Sequence, residues 1–184
     1  IIYVNRHIKK YCLFVLFLFS CFSLFAQDDS LILYFNKKDE IPAEKLSVFA
    51  KELLKKDSIA IHHLASKIIT REKKVYFYHQ VARAFYEADN YDNARSYYSK
   101  ALEMAKLTLD KAKIAKELAA LGNIYRLQDK NTIALNLLFQ AIYLYKELHM
   151  QRELAFNLAL VGDINRCTDQ PQDALKYLNE ALAF

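Results

Sequence analysis

The stretch YDNARSYYSKAL, residues 91–102, recurs twice further along the chain. Its copies are NTIALNLLFQAI, from Asn131, and PQDALKYLNEAL, from Pro171, so the three copies share one register. The alignment produces two alanine columns and one aliphatic column: Ala94, Ala134 and Ala174; Ala101, Ala141 and Ala181; Leu102, Ile142 and Leu182. Repetition at such an even spacing predicts a solenoid of stacked helical hairpins.

The composition favours an all-α protein with a packed core. Hydrophobic residues make up 54% of the chain and charged residues 26%, a balance typical of a globular protein. Only two glycines and two prolines occur. They are too few for glycine-rich phosphate loops or for a β-rich fold with many tight turns.

The net charge of +5 would by itself suggest a nucleic-acid partner, but the distribution of the basic residues does not support one. Three of the 26 basic residues, Arg6, Lys9 and Lys10, lie in an N-terminal segment that has no acidic residue. The remainder carries 23 basic against 21 acidic residues. We therefore expect no nucleic-acid partner.

The N-terminal segment has the three parts of a secretory signal. Residues 6–10 are basic, residues 11–25 are almost wholly apolar, and Ala26 precedes the polar QDDS. The apolar run is shorter than the ~20 residues that a spanning helix needs. We expect residues 1–26 to be cleaved after Ala26 and the protein to be periplasmic or in the cell envelope. The alternatives are an uncleaved anchor and a lipoprotein modified at Cys21, although Phe19 is bulky for a lipoprotein motif.

Cys12 and Cys21 would leave with that signal, so Cys167 would remain alone and no internal disulfide is expected. We expect Cys167 to behave as a small hydrophobic residue, buried or half-buried.

Downstream, the chain divides into a linker, a degenerate hairpin and a regular array. The linker covers 27–41, the degenerate helical hairpin 42–72, with its second helix reaching about Thr70, and the array 73–184. The array has repeats at about 75–108, 115–148 and 155–184, the last one truncated. The sequence lacks an initiating Met and stops within a helix at Phe184, so we expect a continuation.

The repeats resemble the tetratricopeptide (TPR) family, with a spacing of about 40 residues that exceeds the ~34 residues usual in that family. The family pattern has a large apolar residue, then an apolar and a small residue, then an aromatic, and two alanines in the second helix. The first copy supplies Tyr78, Val81, Ala82, Phe85, Ala94, Tyr98 and Ala101; the second Leu118, Leu121, Gly122, Tyr125, Ala134, Leu138 and Ala141; the third Leu158, Val161, Gly162, Ala174, Leu178 and Ala181. Asn165 departs from it, since it occupies the aromatic position. The resemblance implies an all-α fold of antiparallel helix-turn-helix repeats stacked as a right-handed α-solenoid.

A physical reason supports the small-residue column. Gly122 and Gly162 align with Ala82, where the first helix of each hairpin is expected to cross the second too closely for a larger side chain. A lone hairpin would expose two apolar faces, so neighbouring hairpins must stack.

Motifs that carry enzymatic chemistry are missing from the sequence: HExxH, CxxC, GxSxG and a phosphate loop. His62 and His63 are adjacent, so in a helix their rings point about 100° apart and cannot chelate together. His79 and His149 look isolated. We expect no enzymatic activity, no cofactor and no metal. We expect the many aromatic residues to pack in the core rather than to form a ligand-binding cage, except Tyr76 and Tyr86, whose columns do not belong to the packing pattern.

The TPR resemblance implies that the first helix of each hairpin lines a concave groove. The predicted partner-binding residues form two columns with two additions: Arg83, Asn123 and Asp163; Tyr86, Arg126 and Arg166; His79 and Lys116. Such a groove would be polar and mildly basic, which suits an acidic peptide or helix. The alternative interpretation is a solvated surface. The lysine and asparagine clamp with which some family members grip a C-terminal carboxylate is not reproduced.

These observations favour a non-catalytic scaffold that binds a protein or peptide in the groove. The alternative is a periplasmic sensory input domain of a membrane-bound histidine kinase or transcriptional regulator, which an apolar run of ~20 residues beyond Phe184 would indicate. Contact with a membrane is expected only through the signal segment, a lipidated Cys21 or such a C-terminal region.

Overall fold

The computed structural model describes residues 32, 33, 36, 54 and 56–183. Between 56 and 183 the chain forms seven helices: α1 (Ser58–Ser66), α2 (Arg71–Glu87), α3 (Tyr91–Thr108), α4 (Lys111–Leu127), α5 (Asn131–Glu147), α6 (Gln151–Cys167) and α7 (Pro171–Leu182). The predicted signal segment 1–26 and the first helix of the degenerate hairpin lie outside the described residues.

Successive helices pack as antiparallel pairs. The hairpins are α2 with α3, α4 with α5, and α6 with α7, and each hairpin packs on the next through α3 with α4 and α5 with α6. We call α2, α4 and α6 the A helices and α1, α3, α5 and α7 the B helices. The predicted fold class, an all-α solenoid of helix pairs, is confirmed.

The turns explain the length of the repeat. A residue with left-handed backbone follows each of five helices, at Asp89, Asp129 and Asp169 within hairpins and at Leu109 and His149 between them. These five positions are evenly spaced along the chain, so a repeat consists of two equal helix-and-turn halves. Within each hairpin the next amide donates back to a carbonyl five positions earlier, as Asn90 N–H does to Phe85 O at 2.9 Å. Aspartate suits these turns because it tolerates the left-handed region better than most residues.

The first described helix is shorter than predicted. We expected it to reach about Thr70, but α1 ends at Ser66. Thr70 has extended backbone, and its hydroxyl accepts a hydrogen bond from the Lys73 amide at 3.3 Å, so it caps α2 instead. Of the two isoleucines in this turn, Ile68 is buried and Ile69 is 78% exposed.

Close approach of the helices within a hairpin is confirmed at both glycines. A Cβ built on Gly122 would lie 2.8 Å from Leu138 Cγ, and one built on Gly162 would lie 2.7 Å from Leu178 Cγ. The first alanine column is buried too, with Ala94 and Ala134 at 0% exposure. The A and B helices of a hairpin therefore meet where neither has room for a larger side chain.

Two residues of α6 differ from the family pattern or from expectation. Asn165, in the aromatic column, is 4% exposed, and its Nδ2 donates to Val161 O at 3.1 Å. This hydrogen bond within the helix satisfies the amide, so the polar side chain stays buried. The prediction that Cys167 is buried or half-buried is wrong, because it ends α6 beside the turn, where it is exposed.

Candidate partner-binding surface

Seven of the eight predicted groove residues lie on one surface formed by the three A helices, whereas the prediction is wrong for the eighth, His79, which is buried. Side-chain contacts between successive A helices connect it: His79 Nδ1 lies 2.8 Å from Glu117 Oε1, and Asn123 Nδ2 donates to the Tyr86 hydroxyl at 3.3 Å. From α4 to α6, Arg126 NH1 donates to Asp163 Oδ2 at 3.1 Å. We call this surface the A-helix face and define it by these residues: Tyr76, Arg83, Tyr86, Lys116, Asn123, Arg126, Phe156, Asp163 and Arg166.

The arginines of the A-helix face are paired within the chain. Asp163 Oδ2 accepts a hydrogen bond from Arg126 at 3.1 Å, and its Oδ1 accepts one from Arg166 at 2.5 Å. The hydrogen bond to Asp163 raises the pKa of Arg166. Arg83 donates to Glu87 at 2.7 Å, a pair in which both side chains are more than half exposed. Much of the positive charge that the sequence predicts for the groove is therefore balanced by carboxylates on the same helices.

Arg126 is held on a second side as well. Its Nε and NH2 donate to Asn123 Oδ1 at 3.1 and 3.0 Å, while the Asn123 amide donates to Tyr86. Four of the predicted residues, Tyr86, Asn123, Arg126 and Asp163, thus form one chain of hydrogen bonds from α2 to α6. Such a network fixes the arginine side chain before any partner arrives.

His79 occupies a buried position that the sequence analysis did not predict. Its ring contacts both carboxylate oxygens of Glu117, at 2.8 and 3.0 Å, and lies edge-on to Tyr98 with ring centroids 5.4 Å apart. Glu117 itself is only 1% exposed. The expectation that His79 is isolated is wrong, because its partner lies in the next repeat and becomes a neighbour only when two repeats stack.

Lys116 is the lysine of this surface, and it has no partner in the part of the chain that the structure describes. It is exposed, and it forms no ion pair or hydrogen bond with any residue between 56 and 183. The residues one repeat before and after it are Tyr76, which is half-buried, and Phe156, which is 62% exposed. The sequence analysis missed Phe156, although extending the Lys116 column by one repeat would have found it.

The described residues contain no group of three or more His, Cys, Asp or Glu side chains placed to hold a metal ion. Over the same residues, no helix combines the length and the apolar character that crossing a bilayer requires.

The helix pairs and the continuous A-helix face together define a TPR-like α-solenoid. The sequence matches no protein-family model and no curated protein. Among solved structures, it is similar to a Podosopora anserina protein described as a kinesin light chain with nearly identical TPR-like repeats. The TM-score is 0.60 at 13% identity, covering 88% of this chain and 74% of the other.

Two further structures are similar. BtubC (BKLC) from P. vanneervenii has a TM-score of 0.55 at 15% identity, covering 86% of this chain and 70% of its own. MamA has a TM-score of 0.52 at 15% identity, covering 88% and 90%. At these identities the similarity establishes the fold.

Proposed function

We propose that this protein is a non-catalytic interaction scaffold that binds a peptide or helix of a partner protein on the A-helix face. The single observation that carries the proposal is the column formed by Tyr76, Lys116 and Phe156. It places a lysine that pairs with no described residue between two aromatic residues on successive A helices. Stacked repeats offer an extended surface to a partner, and aromatic residues are enriched where such surfaces bind.

The division of charge on this face favours an acidic partner segment that also carries apolar side chains. Asp163 and Glu87 offset two of the three arginine charges, and Lys116 is the cation of this face that pairs with no carboxylate among the described residues. An exposed ion pair contributes at most about 1 kcal/mol. Affinity would therefore come mainly from burying Phe156, while Lys116 would orient the segment and raise the association rate.

A charge reversal at Lys116 tests this more cleanly than one at Arg126. Arg126→Glu would place a second carboxylate beside Asp163 and break the network to Asn123, so a loss of binding could be structural. Lys116→Glu breaks no contact between described residues. Lys106→Glu is the matched control, since Lys106 is an exposed lysine on a B helix.

The experiment is an affinity capture from a cell-envelope extract with the full chain, followed by calorimetry on the captured protein. We expect Phe156→Ala to weaken binding about tenfold or more. Lys116→Glu should weaken it about tenfold, because it replaces an attraction of up to about 1 kcal/mol by a repulsion, and Lys106→Glu should bind as the parent does. If Lys116→Glu and Phe156→Ala retain parental affinity, the A-helix face is a solvated surface and the proposal fails.

A further inference from the structure

Two grooves on the B-helix side of the solenoid correspond to each other one repeat apart. The first, of about 380 Å³, lies between α1 and α3 over α2, and the second, of about 500 Å³, lies between α3 and α5 over α4. Residues that line the first groove are equivalent to residues that line the second: Lys74 to Ile114, Tyr78 to Leu118, and Lys100 to Gln140. Because the second groove is largely apolar, stacking of the repeats does not require the polar residues of the first.

The polar residues of the first groove form a directional hydrogen-bond chain. Lys100 Nζ contacts His62 Nε2, and His62 Nδ1 lies 3.3 Å from the Tyr78 hydroxyl. An ammonium group can only donate, so Nε2 accepts, the neutral ring carries its proton on Nδ1, and that N–H donates to the Tyr78 oxygen. Burial, together with the Lys100 charge, lowers the pKa of His62, which agrees with a neutral ring.

This arrangement leaves the Tyr78 hydroxyl hydrogen with no acceptor among residues 56–183. Tyr78 is 9% exposed, and His62 is its hydrogen-bond partner. A hydroxyl that has accepted a hydrogen bond still has one to donate, and because Tyr78 lines the groove, a ligand bound there can accept that hydrogen bond. An acceptor in the groove would complete the chain.

The charges lining the groove indicate what kind of acceptor fits. Lys100 lies 5.0 Å from the Tyr97 ring centroid, and burial lowers its pKa even though Glu103 acts in the opposite direction. Neither Lys74 nor Lys100 forms an ion pair with a carboxylate of the described chain. Glu103 also lines the groove and would oppose an anion there, but it is a single carboxylate beside two ammonium groups.

We propose that the groove between α1 and α3 binds an oxyanion, a carboxylate or a phosphate, with Lys74 and Lys100 supplying positive charge and the Tyr78 hydroxyl donating a hydrogen bond. The site is independent of the A-helix face, because Lys116 and Phe156 do not line it. A variant that loses anion binding can therefore still be tested for partner binding, and the reverse also holds.

The test titrates the full chain with inorganic phosphate and, separately, with acetate at constant ionic strength. The NMR signals of the His62 imidazole and the Tyr78 ring report binding. We expect saturable shifts with a millimolar dissociation constant for at least one anion. Tighter binding of phosphate would identify a phosphate site, and tighter binding of acetate a carboxylate site.

Three variants make the test specific. Lys100→Gln introduces the residue found one repeat later and is expected to weaken binding tenfold or more, whereas Lys106→Gln, on the same helix, should leave it unchanged. Tyr78→Phe keeps the packed ring, removes the hydroxyl that would donate to the anion and that accepts from His62, and should also weaken binding. It decides the question if Lys100→Gln fails to fold. Shifts that grow linearly with both anions, or equal affinity in Tyr78→Phe and the parent, would overturn the proposal.

Discussion

Replacing Gly122 by alanine should destabilise the protein, although the same change in an exposed helix would stabilise it. The new Cβ would lie 2.8 Å from Leu138 Cγ and 2.9 Å from Leu138 Cδ2, with the Ala134 carbonyl oxygen at 3.3 Å. Carbon atoms in ordinary contact are about 3.5–4.0 Å apart, so Leu138, which is fully buried, must move by roughly 1 Å. Overpacking costs about 1–3 kcal/mol, and the better helix propensity of alanine returns about 1 kcal/mol. The expected net loss is therefore about 0–2 kcal/mol.

Truncating Leu138 should reverse the sign of the stability change that Gly122→Ala causes. Leu138→Ala alone should cost about 2–5 kcal/mol because it leaves a cavity. In that background, Gly122→Ala fills part of the cavity and gains helix propensity, so it should stabilise. Urea unfolding of the four proteins, followed by circular dichroism, measures the coupling between the two sites. A higher midpoint for Gly122→Ala in the parental background, or the same shift in both backgrounds, would refute the close approach.

Three other predictions address the buried pair, the N-terminus and the end of the array. Glu117→Ala should lower the free energy of unfolding by about 1–3 kcal/mol because it leaves His79 buried without its acceptor, whereas Glu117→Gln keeps an acceptor and should cost less; equal urea midpoints for both variants would contradict this. We expect residues 1–26 to be removed as an export signal, so N-terminal sequencing of the mature protein should find a start at Gln27, and a start at a modified Cys21 or an intact residue 1 would exclude cleavage after Ala26. Leu175 and Leu182 on α7 are 62% and 84% exposed, so the given chain should self-associate in analytical ultracentrifugation, Leu182→Lys should reduce that association, and a strictly monomeric parent would contradict it.

Features that repeat in register could be predicted from the sequence. The glycine and alanine columns located the crossing of the two helices because small residues recur only where the backbones meet. The same register placed Arg83, Asn123 and Asp163 on one surface, since equivalent residues of stacked hairpins become neighbours.

Interactions between unlike residues of neighbouring repeats could not be predicted in this way. Glu117 stands in the column of Phe77, and nothing in that column indicates that it contacts His79. Arg126 and Asp163 were both placed on the surface, but the length and rotamers of their side chains decide whether they pair with each other or with a partner. The sequence therefore predicted more unpaired positive charge on the A-helix face than the structure has.

Hydrogen–deuterium exchange of the full chain, with and without the captured partner, tests the central claim most directly. Binding on the A-helix face should slow the local opening of the helices that form it. The account predicts added protection in α2, α4 and α6, centred on the turns of helix that carry Lys116 and Phe156, with α3 and α5 little changed. Protection confined to α3 and α5 would contradict it and would place the partner on the B-helix side.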